Sequence, residues 1–292
     1  MPAVRIALAN KPLTEIIKEM VEADRVHLPV HPDISLHVSK LLSAETFDIK
    51  ELSWLIGRDP GLLCNLFRAA SSSFFSGRHK TLSIEEAITR LGRDKTRQIL
   101  EQASKESVSA TRGKLLPHYM PRLWLHSQAC AAGARWLSNR CGYQDLADQA
   151  YLAGLLHDVG KQFLLAALEE IAVSGEFSMT LSCRLINEVI ETMHVEQGVR
   201  LFAEWNLPEI YKEVVTVHHD LELDTQNVVV TLVRLANLGC RKLGLGLENS
   251  PELVLPTTAE AQFLGVDEIS LAEFEIALED QFLGGKAAQA SR

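Results

Sequence analysis

The chain reads as an all-α protein, a two-lobed helical bundle with its candidate chemistry in the second lobe. Two patterns predict this. Apolar residues recur at three- and four-residue spacing between helix-capping residues along most of the length, and the period-two alternation of a half-buried strand is scarce. A third observation sets the scale: 292 residues with 47% hydrophobic and 23% charged side chains can build a substantial core in a water-soluble protein. No apolar run approaches the ~20 residues that a membrane-spanning helix needs.

The elements follow in order. Asp48 is placed to cap a helix over 49–56 that stops at Gly57, and Asp59-Pro60 supplies an N-cap and first-turn proline for 61–70. Ser83-Ile84-Glu85-Glu86 is a capping box ahead of a short helix that Gly92 ends, and Asp94 starts the next one. Pro121 is read as opening a helix that carries Leu123, Trp124, His126, Cys130 and Ala134, and Asp145 as capping 146–157. Pro208 opens 209–219. Segments 181–193 and 228–238 hold β-branched residues, yet their spacing and neighbours suit buried helices. A last amphipathic helix is expected over 267–282, with 284–292 as a frayed tail. Polar residues over 104–117 mark the best internal junction, and the glycine- and proline-rich stretch 239–256 sets off a C-terminal piece. The expected division is an N-terminal helical lobe (1–112), a histidine-bearing helical lobe (113–245) and a C-terminal extension and tail (246–292).

Charge and cysteine content narrow the function classes. A net charge of -9 disfavours nonspecific binding to nucleic acid or anionic membrane, which needs concentrated Lys and Arg. Arg90, Arg93, Lys95 and Arg97 lie on a capped helix pair and are read as its solvated basic face rather than a DNA reader. The five cysteines (Cys64, Cys130, Cys141, Cys183, Cys240) are odd in number, scattered and without a CxxC, as expected of small core residues kept reduced. Residues 1–11 lack the charged start and full apolar stretch of a cleaved signal peptide, so a cytoplasmic protein is expected.

The most informative stretch is Gly154-Leu155-Leu156-His157-Asp158-Val159-Gly160-Lys161, an apolar helical run that stops on a His-Asp pair. A buried carboxylate without a partner is costly, so Asp158 needs a cation, a metal or several donors beside it. His126, His194, His218 and His219 lie at separated points along the chain. Imidazole nitrogen and carboxylate oxygen together suit divalent Fe, Mn, Zn or Ni, and ligands on separate helices can converge in a bundle core. His126 shares the inward stripe of Leu123, Cys130 and Ala134; His157 and Asp158 end a helix; His194 sits near the start of another; His218-His219-Asp220 close a fourth. Lys161 reads as a helix C-terminal charge, its alternative role being to steady a phosphate.

These residues also resemble a known family. Over roughly residues 15 to 240 the chain is similar to the HD superfamily of metal-dependent phosphohydrolases, and specifically to its HDOD branch, the HD-related output domain of bacterial signalling. Val26-His27-Leu28-Pro29-Val30-His31-Pro32 is similar to the family's Leu-Pro-x-Leu-Pro start, and the run from Asp59-Pro60-Gly61 to Ser72 resembles its DPxLxxxLLRxANS helix. Thr81 to Gly92, Leu123-Trp124-Leu125-His126-Ser127, Gly154 to Lys161, His194 to Pro208 and His218-His219 resemble the blocks that follow, in the family's order. The resemblance implies His126, His157, Asp158, His194, His218 and His219 as metal positions, with His157, Asp158 and Lys161 as the catalytic set of an active member. The final acidic ligand of HD enzymes usually lies in an Leu-Ala-Asp segment; here it reads Leu235-Ala236-Asn237, an uncharged and weaker ligand. The GYP loop of cyclic-dinucleotide phosphodiesterases is absent after His219, where 220–224 follows instead. The implied function is an output module that binds a signalling partner or a small phosphorylated or nucleotide ligand. A divalent cation (Fe, Mn, Ni, Zn or Mg) would occupy the cluster, and an efficient enzyme is not expected. The alternative is a metal-dependent phosphodiesterase or nucleotidase.

Overall fold

Capping residues decide where most helices begin. The computed structural model of the protein describes residues 12–23, 25–72, 83–110, 113–174, 181–220 and 227–284. Asp48 accepts from Lys50 N at the start of α3 (Ile49–Ile56), after α1 (Leu13–Glu22) and α2 (Pro32–Ser43). Asp59 caps α4 (Pro60–Ala70), and the Ser83–Glu86 capping box opens α5 (Ile84–Leu91). Gly92, at φ 76°, turns the chain into α6 (Arg93–Ala110); only glycine takes that backbone without strain. The second lobe comprises α7 (Leu115–Arg140), α8 (Ala147–Leu156), α9 (Val159–Ser174), α10 (Cys183–Glu204), α11 (Glu209–Val217) and α12 (Val228–Lys242), followed by α13 (Ala259–Leu264) and α14 (Glu268–Phe282). Among the described residues there is no strand, and the β-branched segments at 181–193 and 228–238 lie in α10 and α12. The readings made for residues 1–11, 81–82, 111–112, 221–224 and 285–292 lie outside the described residues.

Three local expectations are corrected. Pro121 lies inside α7 rather than opening it. Leu116, Tyr119, Met120, Leu123 and Trp124 form one buried stripe that runs across the proline. Their burial outweighs the ~3 kcal/mol and one backbone hydrogen bond that an interior proline forfeits. Asp145 caps nothing: it sits in a 3-10 turn (Gln144–Leu146), and Leu146 occupies the N-cap position of α8 without a side-chain bond. The turn is held from behind, by Ser138 Oγ donating to Tyr143 O at 2.6 Å. The junction between the lobes is narrower than 104–117, because Ser107 is buried within α6 and exchanges bonds with Val30, accepting from its N–H at 2.8 Å and donating to its carbonyl at 3.2 Å.

Within the second lobe α7 packs on α8 and α12, and α9 packs on α10, which makes a layered bundle around Phe163, Phe202, Leu155 and Leu232. In the first lobe α4 packs on α5 and α6. The lobes meet through aromatic contacts, Phe67 stacked on Tyr211 with ring centroids 6.0 Å apart and His31 against Trp124 at 4.8 Å. The basic residues of 83–103 are engaged within their own lobe. Arg90 and Arg97 donate to the carbonyls of Ala70 and Ala44, and Arg93 lies over the Phe47 ring. Cys64, Cys130 and Cys240 are buried, Cys141 is half-buried, and Cys183 is exposed.

Asp59 ties two segments together. Its carboxylate accepts from Leu62 N and from His31 N, each at 2.7 Å, while fully buried. Asp59→Ala is expected to lower the unfolding free energy by about 2–4 kcal/mol in urea titration, since a cap is lost and a buried N–H is left unpaired. Burial pushes the Asp59 carboxyl from 3.8 up to about 6, against the backbone bonds that favour its charged form. A folded pKa above the unfolded one means that protonation favours the folded state below pH 3.8, and this contribution disappears as pH rises through 6. Relative to Asp59→Asn, the native chain should therefore gain stability as pH falls across that window, checked by urea titrations at stepped pH.

Candidate functional site

Two glycines bring the cluster together. A Cβ at Gly154 would lie 2.9 Å from Ala131 Cα and from Cys130 O, so this glycine lets α8 press directly on α7. A Cβ at Gly160 would overlap the carbonyl oxygen of His194, so this one lets the start of α9 touch α10. Between them lies the His157-Asp158 junction, where α8 ends and α9 begins. The close approaches on both sides carry Asp158 to the histidines of α7 and α10. Gly160 is thus part of a helix crossing rather than a helix stop. His194 lies in the middle of α10 rather than near its start, and His218 and His219 follow the end of α11.

Four imidazoles face one carboxylate. Asp158 Oδ2 lies 3.3 Å from His126 Nε2 and 3.5 Å from His157 Nε2; Oδ1 lies 3.6 Å from His194 Nε2 and 3.3 Å from His218 Nε2. The other ring nitrogen of each histidine points at a backbone carbonyl: Leu245 O at 2.8 Å for His126, Gly154 O at 2.7 Å for His157, Ile190 O at 2.9 Å for His194 and Val215 O at 2.9 Å for His218. A carbonyl only accepts, so Nδ1 carries the hydrogen and the neutral ring's Nε2 presents a lone pair. Lone pairs then converge on an acceptor. His126 Nε2 and His157 Nε2 also face each other at 3.3 Å, and among the described residues Asp158 Oδ1, His194 Nε2 and His218 Nε2 are buried without a hydrogen-bond partner. Such a donor set fits a cation, which satisfies facing acceptors where a hydrogen bond cannot. Asp158 with His194, His218 and His219 forms one group of potential ligands, and His126, His157 and Asp158 form another. His219 is the exposed member.

Lys161 differs from its reading as a terminal helix charge. It lies in the first turn of α9, 4% exposed, with Nζ 3.0 Å from Asp158 Oδ2 and 3.4 Å from Glu248 Oε1. Burial disfavours its ammonium form, but Asp158, Glu191 and Glu248 outweigh burial and hold its pKa above the ordinary lysine value. Burial alone would raise Asp158; the Lys161 ammonium beside it and the contacts of the surrounding histidines hold its carboxyl well below the usual carboxylate range. Burial lowers His157 and His194, keeping both neutral.

The loop after α12 contributes groups that sequence reasoning missed. Gly246, at φ 148°, passes against His126, where a Cβ would come within 2.9 Å of Nδ1. Arg122 donates from Nε to Gly246 O at 2.8 Å, and Arg241 pairs with Glu248 at 2.7 Å. The closely spaced Gly244 and Gly246 were the only signal in the sequence of this approach; nothing there marks Glu248. Asn237 is buried on α12, and its side chain makes no hydrogen bond among the described residues.

The HDOD domain profile matches residues 28–221. An uncharacterized protein of Treponema pallidum (strain Nichols) is 25% identical over 231 residues, covering 76% of this chain and 44% of that protein. The chain thus spans under half the length of the curated relative it matches. The crystal structure of the MmoQ response regulator from Methylococcus capsulatus str. Bath superposes with a TM-score of 0.66 at 22% identity, over 85% of this chain and 98% of that one. A virulence factor of Campylobacter jejuni subsp. jejuni superposes with a TM-score of 0.58 at 16% identity, over 90% and 97% of the two chains. At these identities the two structures share the fold.

Gly160→Ala is expected to force α9 from α10, lowering stability by about 1–3 kcal/mol in denaturant titration. Metal retention measured on the same samples should fall with it. Because His157 and His194 have folded pKa values below 6.5, the unfolded chain binds more protons than the folded one as pH falls beneath that value. Melting temperature in the presence of a chelator should drop steadily below pH 6.5, and less steeply in His157→Ala.

Proposed function

Because this chain belongs to the HDOD domain family, we propose that it acts as a signal-transduction output module of the bacterial cytoplasm. It recognises a partner protein or a small phosphorylated ligand, with one divalent cation held by His126, His157, Asp158, His194 and His218. The observation that carries this reading is the set of buried Nε2 and carboxylate atoms that face one another without hydrogen-bond partners. The nitrogen-rich donors suit Fe, Mn, Ni or Zn better than Mg. A bound cation would supply charge compensation at the meeting point of α7, α8, α9, α10 and α11. The protein's own groups do the rest. Backbone carbonyls fix each ring, Lys161 shares the Asp158 carboxylate, and Glu248 balances Lys161. His157 and Asp158, 0% and 2% exposed, favour a structural or regulatory ion over an open catalytic one.

A second reading, metal-dependent phosphohydrolysis, is favoured by one feature: His219 joins Asp158, His194 and His218 in one group while remaining exposed. Lys161 is the basic group that would steady a phosphate there. Asn237 weighs against this reading, because it brings no charge to the position where HD enzymes place their last acidic ligand.

Plasma mass spectrometry of the purified protein is expected to find about one transition-metal ion per chain, lost in His157→Ala and in Asp158→Ala. Asn237→Asp should tighten metal binding by about tenfold or more. Hydrolysis of cyclic dinucleotides, nucleotides and simple phosphodiesters with Mn, Fe or Ni supplied should remain at background. Robust turnover abolished by both His157→Ala and Asp158→Ala would put the hydrolase reading first.

A further inference from the structure

A second concave site lies between the lobes, away from the histidine cluster. It has a volume of about 840 Å³, within the ~300–1,000 Å³ range of small-molecule sites. One wall comes from α3 and its C-terminal turn with Lys50, Trp54 and Arg58; the other comes from α7 and α8 with Arg135, Trp136 and Tyr151. Gln128 on α7 donates to Arg58 O at 3.1 Å and ties the walls together.

The lining is unusual for this chain. The protein carries a net charge of -9, yet three cations line this cleft against two carboxylates, Glu85 and Asp148. Arg135 is paired with Asp148 at 2.8 Å. Lys50 and Arg58 have no carboxylate partner among the described residues. The guanidinium of Arg58 lies over the Trp54 ring, 4.6 Å from its centroid, and that of Arg135 lies over Tyr151 at 4.0 Å. Trp54 is 59% exposed, although burying a ring of that size is worth roughly 2–3 kcal/mol. Lys50 and Arg58, cations without a carboxylate partner, and two guanidinium–aromatic pairs stand in the same cleft. Phosphate binding uses the first, and base stacking uses the second.

We propose that this interlobe cleft binds a nucleoside phosphate, with Lys50 and Arg58 receiving the phosphate and the Trp54 and Tyr151 walls receiving the base. The inference rests on the reading of the chain as a recognition module and names the ligand class, but it does not depend on the metal. α8 connects the two sites, carrying Tyr151 in the cleft and leading into His157 and Asp158.

The test is calorimetric titration of the full chain with ATP, GTP and cyclic di-GMP, and with inorganic phosphate and adenosine as half-ligand probes. Saturable binding of at least one of the three nucleotides is expected, weaker by tenfold or more in Trp54→Ala and in Arg58→Ala, with both half-ligands far weaker. Lys50→Glu, at an exposed position, should weaken binding similarly and serves if a cleft variant folds poorly by circular dichroism. The proposal is overturned by absence of saturable binding at millimolar nucleotide, by affinity unchanged in these variants, or by phosphate alone binding as tightly as the nucleotide. Metal content on the same samples, together with Asp158→Ala, reports on the proposed function separately: nucleotide binding lost with metal retained counts against the cleft alone.

Discussion

The centre of the second lobe is arranged around the buried carboxylate of Asp158. A carboxylate removed from water costs several kcal/mol unless positive charge or donors surround it. Asp158 is 2% exposed, and among the described residues the lysine or arginine paired with it is Lys161. The imidazoles around it offer lone pairs, because each Nδ1–H is already committed to a backbone carbonyl. The lobe therefore holds a carboxylate that shares Lys161 with Glu248, beside a set of imidazole lone pairs with no donor between them. This is the condition under which a divalent ion binds and in turn stabilises the fold.

The helices bear the constraint. Gly154 and Gly160 remove side chains where α8 meets α7 and where α9 meets α10, and these approaches set the spacing of the cluster. A side chain at Gly154 would part α8 from α7, and one at Gly160 would part α9 from α10, moving the His157-Asp158 junction away from His126 or His194. Around this centre the loop after α12 works as a strap. Arg122 fixes its backbone, Leu245 O orients His126, and Glu248 lies between Lys161 and Arg241. Arg234 adds a further brace: half-buried and paired with Glu260 at 2.8 Å, it donates to Val217 O at the end of α11, one residue before His218.

Much of the fold was legible in the sequence because its signals are local. Asp48, Asp59, Ser83, Gly92 and Asp267 act within a few residues of themselves, and each ends or begins a helix in the structure. The sequence by itself thus determined the all-α class, the ends of the capped helices α3, α4, α5 and α14, and the identity of the histidines and aspartate that meet. Their types and their positions on apolar helix faces are properties of the chain, and so is the family membership that their order reveals.

What only the tertiary structure decided depends on partners distant in sequence. Pro121 stays within α7 because a buried stripe crosses it, a gain that local propensity does not register. Lys161 becomes the counter-ion of Asp158 because a new helix, α9, begins at Val159 and its first turn brings the lysine back onto the carboxylate. Glu248, 87 residues beyond Lys161, joins it because the strap folds back over the cluster. Ring orientation divides between the two. His157, His194 and His218 are turned by carbonyls three or four residues upstream in their own helices, whereas His126 is turned by Leu245 O, 119 residues away in the strap. Charge compensation and close helix approach are properties of the assembled core, so they become readable only once the core exists.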